Sequence, residues 1–327
     1  MKGKFKNPLI HVAAALRRER LRGKVAGLVE WKRLPESDRG CTAIIGVCSK
    51  LPDVLLANLR FLNASKWPEL KRVIAVVDCL PAPSWEKLAE EVTARFPDLN
   101  LEFLYYAPEQ FAFAESVKLP YVYAWLSWCI ALKHTRTSHV FFHDYDALLL
   151  DGSLGERYSN FVNSRSKVQG ISWYQYNGVE IEDHVATTFE AFMDTAWLRS
   201  SPSVELFNKL RVIRGRSVDF DITLNLQYTT LCEGERTIMP MSLEQLVHPS
   251  QMIHQYTMFR RSPAAALPCF SIPMIPFFSW LAGCRDSLAR ATQVLRSGDR
   301  ENLDLLGDGT RVNLPQLTIR QVTRLLK

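Results

Sequence analysis

Apolar residues fall into two alternating patterns between residues 41 and 150. Thr42–Cys48 (TAIIGVC), Arg72–Val77, Leu99–Tyr106 and His139–His143 are short, continuous and rich in β-branched or aromatic residues, as expected of strands buried on both faces. Between them, apolar positions recur every three or four residues. Pro52–Ala64 carries Val54, Leu55, Leu59 and Leu62 on one stripe. Ser84–Phe96 and Leu119–His134 read as two further helices, the first with Ser84 as its N-cap. Strand alternating with helix predicts an α/β fold, a mixed and mostly parallel sheet flanked by helices. In such sheets ligands bind beyond the carboxyl ends of the strands.

After residue 150 the alternation weakens. Ser153-Leu-Gly-Glu156 has the form of a capping box opening a helix to about residue 163. Strands are expected at Val168–Trp173, Thr188–Met193 and Thr237–Met241. Helices are expected near Ala196–Arg199, Pro202–Val212 and Asp221–Leu231. A Leu-rich helix near 277–296 and a basic one near 315–326 complete the pattern. Polar Pro35–Gly40 reads as a linker. The chain therefore divides into a basic amphipathic N-terminal extension (1–40), a central α/β domain (41–256) and an apolar, then basic, helical C-terminal region (257–327).

Charge sharpens this division. Residues 1–40 hold 11 basic and 4 acidic side chains, residues 256–327 hold 10 and 5, and the middle holds 19 and 25. Two basic ends on an acidic body do not suit a nucleic-acid binder, which needs a continuous basic face. They suit an anionic membrane surface, with Leu9, Ala13, Leu16, Leu21, Val25 and Leu28 at near-helical spacing within a helix over about 9–30. Ser262–Cys284 is uncharged but contains Pro263, Pro268, Pro273 and Pro276, which excludes a spanning helix. Seven cysteines without a C-x-x-C pair, mostly in apolar runs, indicate a reducing compartment. The expectation is a cytoplasmic protein, peripheral on the cytoplasmic face of a membrane.

The familiar phosphate loops are missing: neither G-x-G-x-x-G nor G-x-x-x-x-G-K-[ST] occurs, and G-x-S-x-G and H-E-x-x-H are absent too. Any phosphate must then be neutralised by a cation. The stretch His139-Val-Phe-Phe-His143-Asp144-Tyr145-Asp146 supplies the means, because a buried strand ends in two carboxylates at i and i+2. Carboxylates at a sheet's carboxyl edge are hard oxygen ligands suited to Mg²⁺ or Mn²⁺. The bland alternative is a strand-end turn in which Asp caps backbone amides. A second Asp-x-Asp stands at Asp219-Phe-Asp221.

With these residues the chain resembles glycosyltransferases of the A-type fold, nearest to the family 2 enzymes, over about Thr42–Tyr256. The resemblance implies a nucleotide-diphospho-sugar donor, a saccharide or lipid-linked acceptor and Mn²⁺ or Mg²⁺. It implies that Ser49 and Lys50 lie under the nucleotide, that Asp78 contacts the base, and that Asp146 binds the metal. Asp144 would hold the ribose, or the metal through water. Asp221 or Asp219 would be the general base of an inverting transfer, His248 or His254 would be a further metal ligand, and Trp173, with Tyr174 and Tyr176, would face the acceptor. Two departures stand out. His143 precedes the motif where an apolar residue is usual, and Gln251–Tyr256 lacks Q-x-x-R-W, which favours transfer of a single sugar over polymerisation. A nucleotidyltransferase on a similar sheet is the alternative, although Ser49-Lys50-Leu51-Pro52 offers no glycine loop. A non-catalytic membrane-associated scaffold is the other.

Overall fold

The structure, a computed structural model, describes residues 2–33, 36–176, 179–180, 185–249, 251–252, 255, 274–287 and 289, with short pieces at 303–304, 311–312, 320 and 323–324. In chain order the elements are β1 (Lys2–Gly3), α1 (Pro8–Val25), β2 (Asp38–Val47), α2 (Pro52–Ala64), β3 (Leu70–Val77), α3 (Pro83–Arg95), β4 (Leu101–Tyr105), α4 (Pro108–Val117), α5 (Pro120–His134) and β5 (Thr137–Phe142). There follow β6 (Leu148–Leu149), α6 (Leu154–Ser164), β7 (Val168–Gly170), β8 (Gln175–Tyr176), β9 (Val179–Glu180), β10 (Ala191–Asp194), α7 (Thr195–Arg199), β11 (Lys209–Ile213), β12 (Arg216–Phe220), α8 (Leu224–Thr230), β13 (Arg236–Ile238), β14 (Leu246–Val247) and α9 (Ile275–Leu281).

The chain forms two compact units. The first comprises Met1–Val47, Trp67–Asp144 and Ser153–Pro240. Its centre is a seven-stranded sheet in the order β13-β7-β10-β5-β2-β3-β4. β2, β3, β4 and β5 run parallel, and β10 runs antiparallel between β5 and β7. β2 lies between β5 and β3, and its Cys41, Ala43, Ile44 and Ile45 are all fully buried, which is why it reads as a continuous apolar run. α5 lies on β2 and β3. Gly46 permits that approach, since a Cβ there would meet the Ser127 Cβ at 3.1 Å. Tyr106, buried, donates its hydroxyl to the Tyr123 carbonyl at 2.8 Å and shares a hydrogen bond with Ser127 at 2.9 Å.

The N-terminal segment belongs to this unit. β1 pairs with β12, and Asn7 caps α1 by accepting from Leu9 N–H at 2.9 Å. Val25 and Val29 enter the main core, with Leu21 and Leu28 packed against it. Three of the six positions expected to form a membrane-facing stripe therefore face the protein instead. The buried face of α1 is partly polar, with His11 2.7 Å from Ser217 Oγ and Arg22 donating to the Phe207 carbonyl at 3.1 Å. Its true orientation is therefore invisible to a count of apolar spacing.

Three further expectations change. Ser84 does not cap α3, whose N-cap is Ala82, and Ser153 makes no side-chain cap to α6. The helix expected at Pro202–Val212 is a short 3-10 turn over Ser203–Leu206 followed by strand β11. β11 and β12 form a hairpin closed by Arg214 and Gly215, both at positive φ (47° and 74°). Arg-Gly is a weaker hairpin signal than Asn-Gly, which is why the turn passes unread.

The second unit comprises Cys48–Lys66, Tyr145–Gly152 and Met241–Lys327. β6 pairs antiparallel with β14, and α9 lies on α2, where Arg60 donates to the Leu281 carbonyl at 3.0 Å. Among the described residues no helix is long and apolar enough to cross a membrane. Residues 262–273 of the proline-rich stretch lie outside the described residues, as do most of 288–327.

Candidate metal and donor site

The first carboxylate of the Asp144–Asp146 pair is fixed from the sheet. Antiparallel pairing sets Ala191 of β10 opposite Phe142 of β5, so Glu190 meets His143 one residue further out. Both side chains are wholly buried. His143 Nδ1 lies 2.8 and 3.0 Å from the two Glu190 carboxylate oxygens, and Oε1 also accepts the Asp144 backbone N–H at 3.0 Å. A carboxylate accepting there assigns the His143 proton to Nδ1. His143 Nε2 is buried and has no hydrogen-bond partner, and the ring stacks on Phe141 at 5.5 Å. Glu190 takes φ 50°, a conformation unfavourable for a residue with a Cβ.

The second carboxylate is fixed from α2. Asn58, buried on that helix, donates to the Tyr145 carbonyl at 3.2 Å and to the Ala147 carbonyl at 2.9 Å, holding the backbone on both sides of Asp146. The Tyr145 hydroxyl donates to the Leu51 carbonyl and, at 3.3 Å, to that of Cys48. Tyr145 thus anchors the motif to the loop that follows β2. Asp146 is buried, and its Oδ2 accepts the Met252 N–H at 3.3 Å. His248 Nε2 is 3.4 Å from Asp146 Oδ1. One ligand atom each from Asp144, Asp146 and His248 lies within 4.8 Å of the others.

That donor set fits a small divalent cation. Ligands of one ion at about 2.1 Å stand at most about 4 Å apart, so a sub-ångström adjustment of these side chains closes the set. Two carboxylates and an imidazole suit Mn²⁺ somewhat better than Mg²⁺, whose preference is for oxygen alone. Three protein ligands leave positions open for substrate oxygens. Of the two histidines expected as ligands, His248 joins the cluster, and His254 lies outside the described residues.

The remaining candidates divide by environment. Asp219 sits within β12 rather than opening a helix, and Lys4 Nζ and Arg18 Nη1 each lie 3.2 Å from its oxygens. Its carbonyl accepts the Tyr174 hydroxyl at 2.7 Å. Asp221 follows β12, three residues before α8, and its Oδ1 accepts from Ile222 N–H and the Asn208 amide, both at 2.8 Å. By surface area Asp221 is exposed, yet protein atoms crowd it closely enough to raise its pKa above the ordinary carboxylate value. Those two hydrogen bonds oppose the rise, and the Asp219 and Asp144 charges add to it. An accessible carboxylate with a raised pKa and, among the described residues, no ion pair to a cation is better suited to take a proton than one held by two cations.

Asp78 follows β3, its N–H bonded to the Val47 carbonyl at 3.0 Å, at the same sheet edge as Asp144. Ser49 and Lys50 follow β2 by two and three residues. Trp173 forms an isolated bridge with Ala186 and packs partly against the core, while the Tyr176 side chain lies outside the described residues. Glu190 and Asn58 were not anticipated. Neither belongs to a motif, and only the β5–β10 register and the packing of residues 145–147 on α2 reveal them.

No family model matches the chain, and no curated protein matches it. Among solved structures, the chain is similar to S. aureus TarS 1–349 at 13% identity (80% of this chain and 75% of that one, TM-score 0.41). It is similar to the mannosyltransferase PcManGT from Pyrobaculum calidifontis, in complex with GDP-Man and Mn²⁺, at 15% identity (97% and 94%, TM-score 0.38). The galactosyltransferase LgtC, in complex with donor and acceptor sugar analogs, is similar at 12% identity (74% and 95%, TM-score 0.45). At such identities and scores none of these likenesses assigns chemistry to this chain, and its own residues must carry the argument.

Proposed function

We propose that the protein is a metal-dependent glycosyltransferase moving one sugar from a nucleotide-diphosphate donor to a hydroxyl acceptor, a glycan or a lipid-linked saccharide, with inversion. One observation carries the reading. Asp144, Asp146 and His248 converge at the carboxyl edge of a mostly parallel sheet, in a chain without a phosphate-binding glycine loop. Mn²⁺ or Mg²⁺ bound there would supply charge neutralisation for the diphosphate leaving group. Asp146 and His248 would hold that ion, and Asp144 would hold it or the ribose. In this reading Asp78, Ser49 and Lys50, which follow β3 and β2, would meet the nucleotide, and Trp173 would meet a sugar ring. Asp221 would accept the proton of the attacking hydroxyl, in a single displacement on the face opposite the leaving group.

A thermal-shift panel of UDP-, GDP-, CDP- and dTDP-sugars, each with and without Mn²⁺, tests the reading. A ligand that binds only the folded state raises the melting temperature by mass action. One nucleotide series should stabilise the protein in Mn²⁺ and lose most of that effect in EDTA. A panel with no metal-dependent stabilisation for any nucleotide would overturn the proposal.

A further inference from the structure

α1 presents two faces of different character. Inward lie His11, Arg18, Arg22 and Val25. Outward, Leu9 is 78% exposed, Ile10 54%, Val12 53% and Leu16 57%. They occupy the first half of the helix, and the outward face of the second half carries the exposed cations Arg17, Arg20 and Lys24. Exposed Lys2, Lys4 and Lys6 precede the helix, and Arg214 and Arg216 stand exposed on the β11–β12 hairpin, with Lys2 in register with Arg216. Residues 2–24 contain eight basic side chains and one acid, Glu19. That acid is already answered by Arg22 at 3.3 Å and Lys209 at 3.6 Å.

We infer that this face of α1, with the lysines before it, is the surface by which the protein sits on an anionic phospholipid membrane. Four large apolar side chains held open on one helix are costly in water unless something covers them. The flanking cations identify the cover. A second copy of the chain would bring the same cations into apposition. A nucleic acid would satisfy the cations and leave the apolar half uncovered. An anionic bilayer answers both, its acyl boundary receiving Leu9, Val12 and Leu16 and its headgroups facing Lys2, Lys6, Arg17, Arg20 and Lys24. The stripe is not the one that spacing alone suggests, since Leu21, Val25 and Leu28 are occupied in packing. Asp219, held by Lys4 and Arg18 of the same segment, ties the membrane face to the strand that precedes Asp221.

Co-sedimentation of the full chain with phosphatidylcholine vesicles, with and without phosphatidylglycerol, tests this. Binding should require the anionic lipid and fade at high salt, where surface charge is screened. The double variant Leu9→Ser/Leu16→Ser should bind about tenfold more weakly or worse. The triple variant Arg17→Gln/Arg20→Gln/Lys24→Gln should lose about a hundredfold. All five side chains are exposed, so the variants should keep the wild-type melting temperature and any Mn²⁺-dependent nucleotide shift. Wild-type protein that ignores anionic vesicles at low salt overturns the inference. So does a leucine variant that binds as well as wild type, or one that dissolves a dimer while leaving vesicle binding intact. None of these outcomes bears on the nucleotide panel, so the two proposals fail separately.

Discussion

Removing the Glu190 carboxylate should cost more stability than any substitution at the metal motif itself. The carboxylate has no contact with water and serves two partners, the His143 ring through both oxygens and the Asp144 amide through one. Glu190→Ala removes that acceptor from both and leaves the buried His143 ring without its carboxylate, and breaking a buried pair in this way costs about 3–5 kcal/mol. Glu190→Gln keeps the shape and one acceptor oxygen, so the loss should be that of a single unsatisfied buried group, about 1–3 kcal/mol. Glu190→Gly should fall about 1 kcal/mol short of the alanine variant's loss, because glycine relieves the left-handed backbone at φ 50°. Urea unfolding followed by tryptophan fluorescence gives the three values, compared at constant slope. Mn²⁺ titration of the glutamine variant should show affinity reduced about 10- to 100-fold, as for the loss of a group that orients a metal ligand. An alanine variant within about 1 kcal/mol of wild type would refute the argument that this carboxylate fixes the motif.

Asp146→Ala should abolish Mn²⁺-dependent nucleotide stabilisation in thermal shift, and full retention would remove the metal reading of the motif. Asn58→Ala frees two buried carbonyls that flank Asp146 and should cost about 2–4 kcal/mol in urea unfolding, with weaker Mn²⁺ binding. Asp221→Asn should reduce turnover about 100-fold with donor binding intact, while Asp219→Asn should act mainly on stability through Lys4 and Arg18. The wild-type rate should fall as pH drops through the raised Asp221 pKa, and the asparagine variant should lose that limb. The sign for stability is opposite. A carboxyl whose folded pKa is raised penalises the fold once ionised, so stability declines as pH rises from the ordinary carboxylate range through that pKa. Melting temperatures of wild type and Asp221→Asn should converge at acid pH and separate in the variant's favour toward neutrality.

The sheet's parallel half was legible because three of its strands, β2, β3 and β5, are largely buried, while the edge strand β4 is partly buried throughout. TAIIGVC, RVIAVV and HVFFH are continuous apolar runs, α2 carries a clean stripe, and α5 is apolar nearly all round. Pro52–Ala64 is found at the residues the pattern gives. The Asp144–Asp146 pair stood out because two carboxylates at i and i+2 directly follow a buried strand, and the structure brings His248 to them. What stayed hidden was set by tertiary pairing. α4 (Pro108–Val117) is a helix without a strong stripe, with Ala114 its one fully buried residue. β11 looked helical because Leu206, Phe207 and Leu210 mimic a helix face across a turn and a strand. Glu190 is an ordinary acid in sequence, and only its place opposite His143 makes it part of the site. The orientation of α1 is hidden from apolar spacing because its inward face spends polar side chains, His11 and Arg22, on specific partners.

The way the two units are threaded bears on how such a protein could be inherited or recombined. Each is assembled from three separate stretches, so the chain passes from one to the other at five points. No single crossover, truncation or exon-like exchange can deliver one unit whole, and homologous exchange between relatives would have to preserve both partners at once. The third passage falls between Asp144 and Tyr145, inside the carboxylate pair itself. Asp144 is set by Glu190 from one unit and Asp146 by Asn58 from the other. A hybrid joined at that point would inherit its two carboxylates, and the residues that aim them, from different parents.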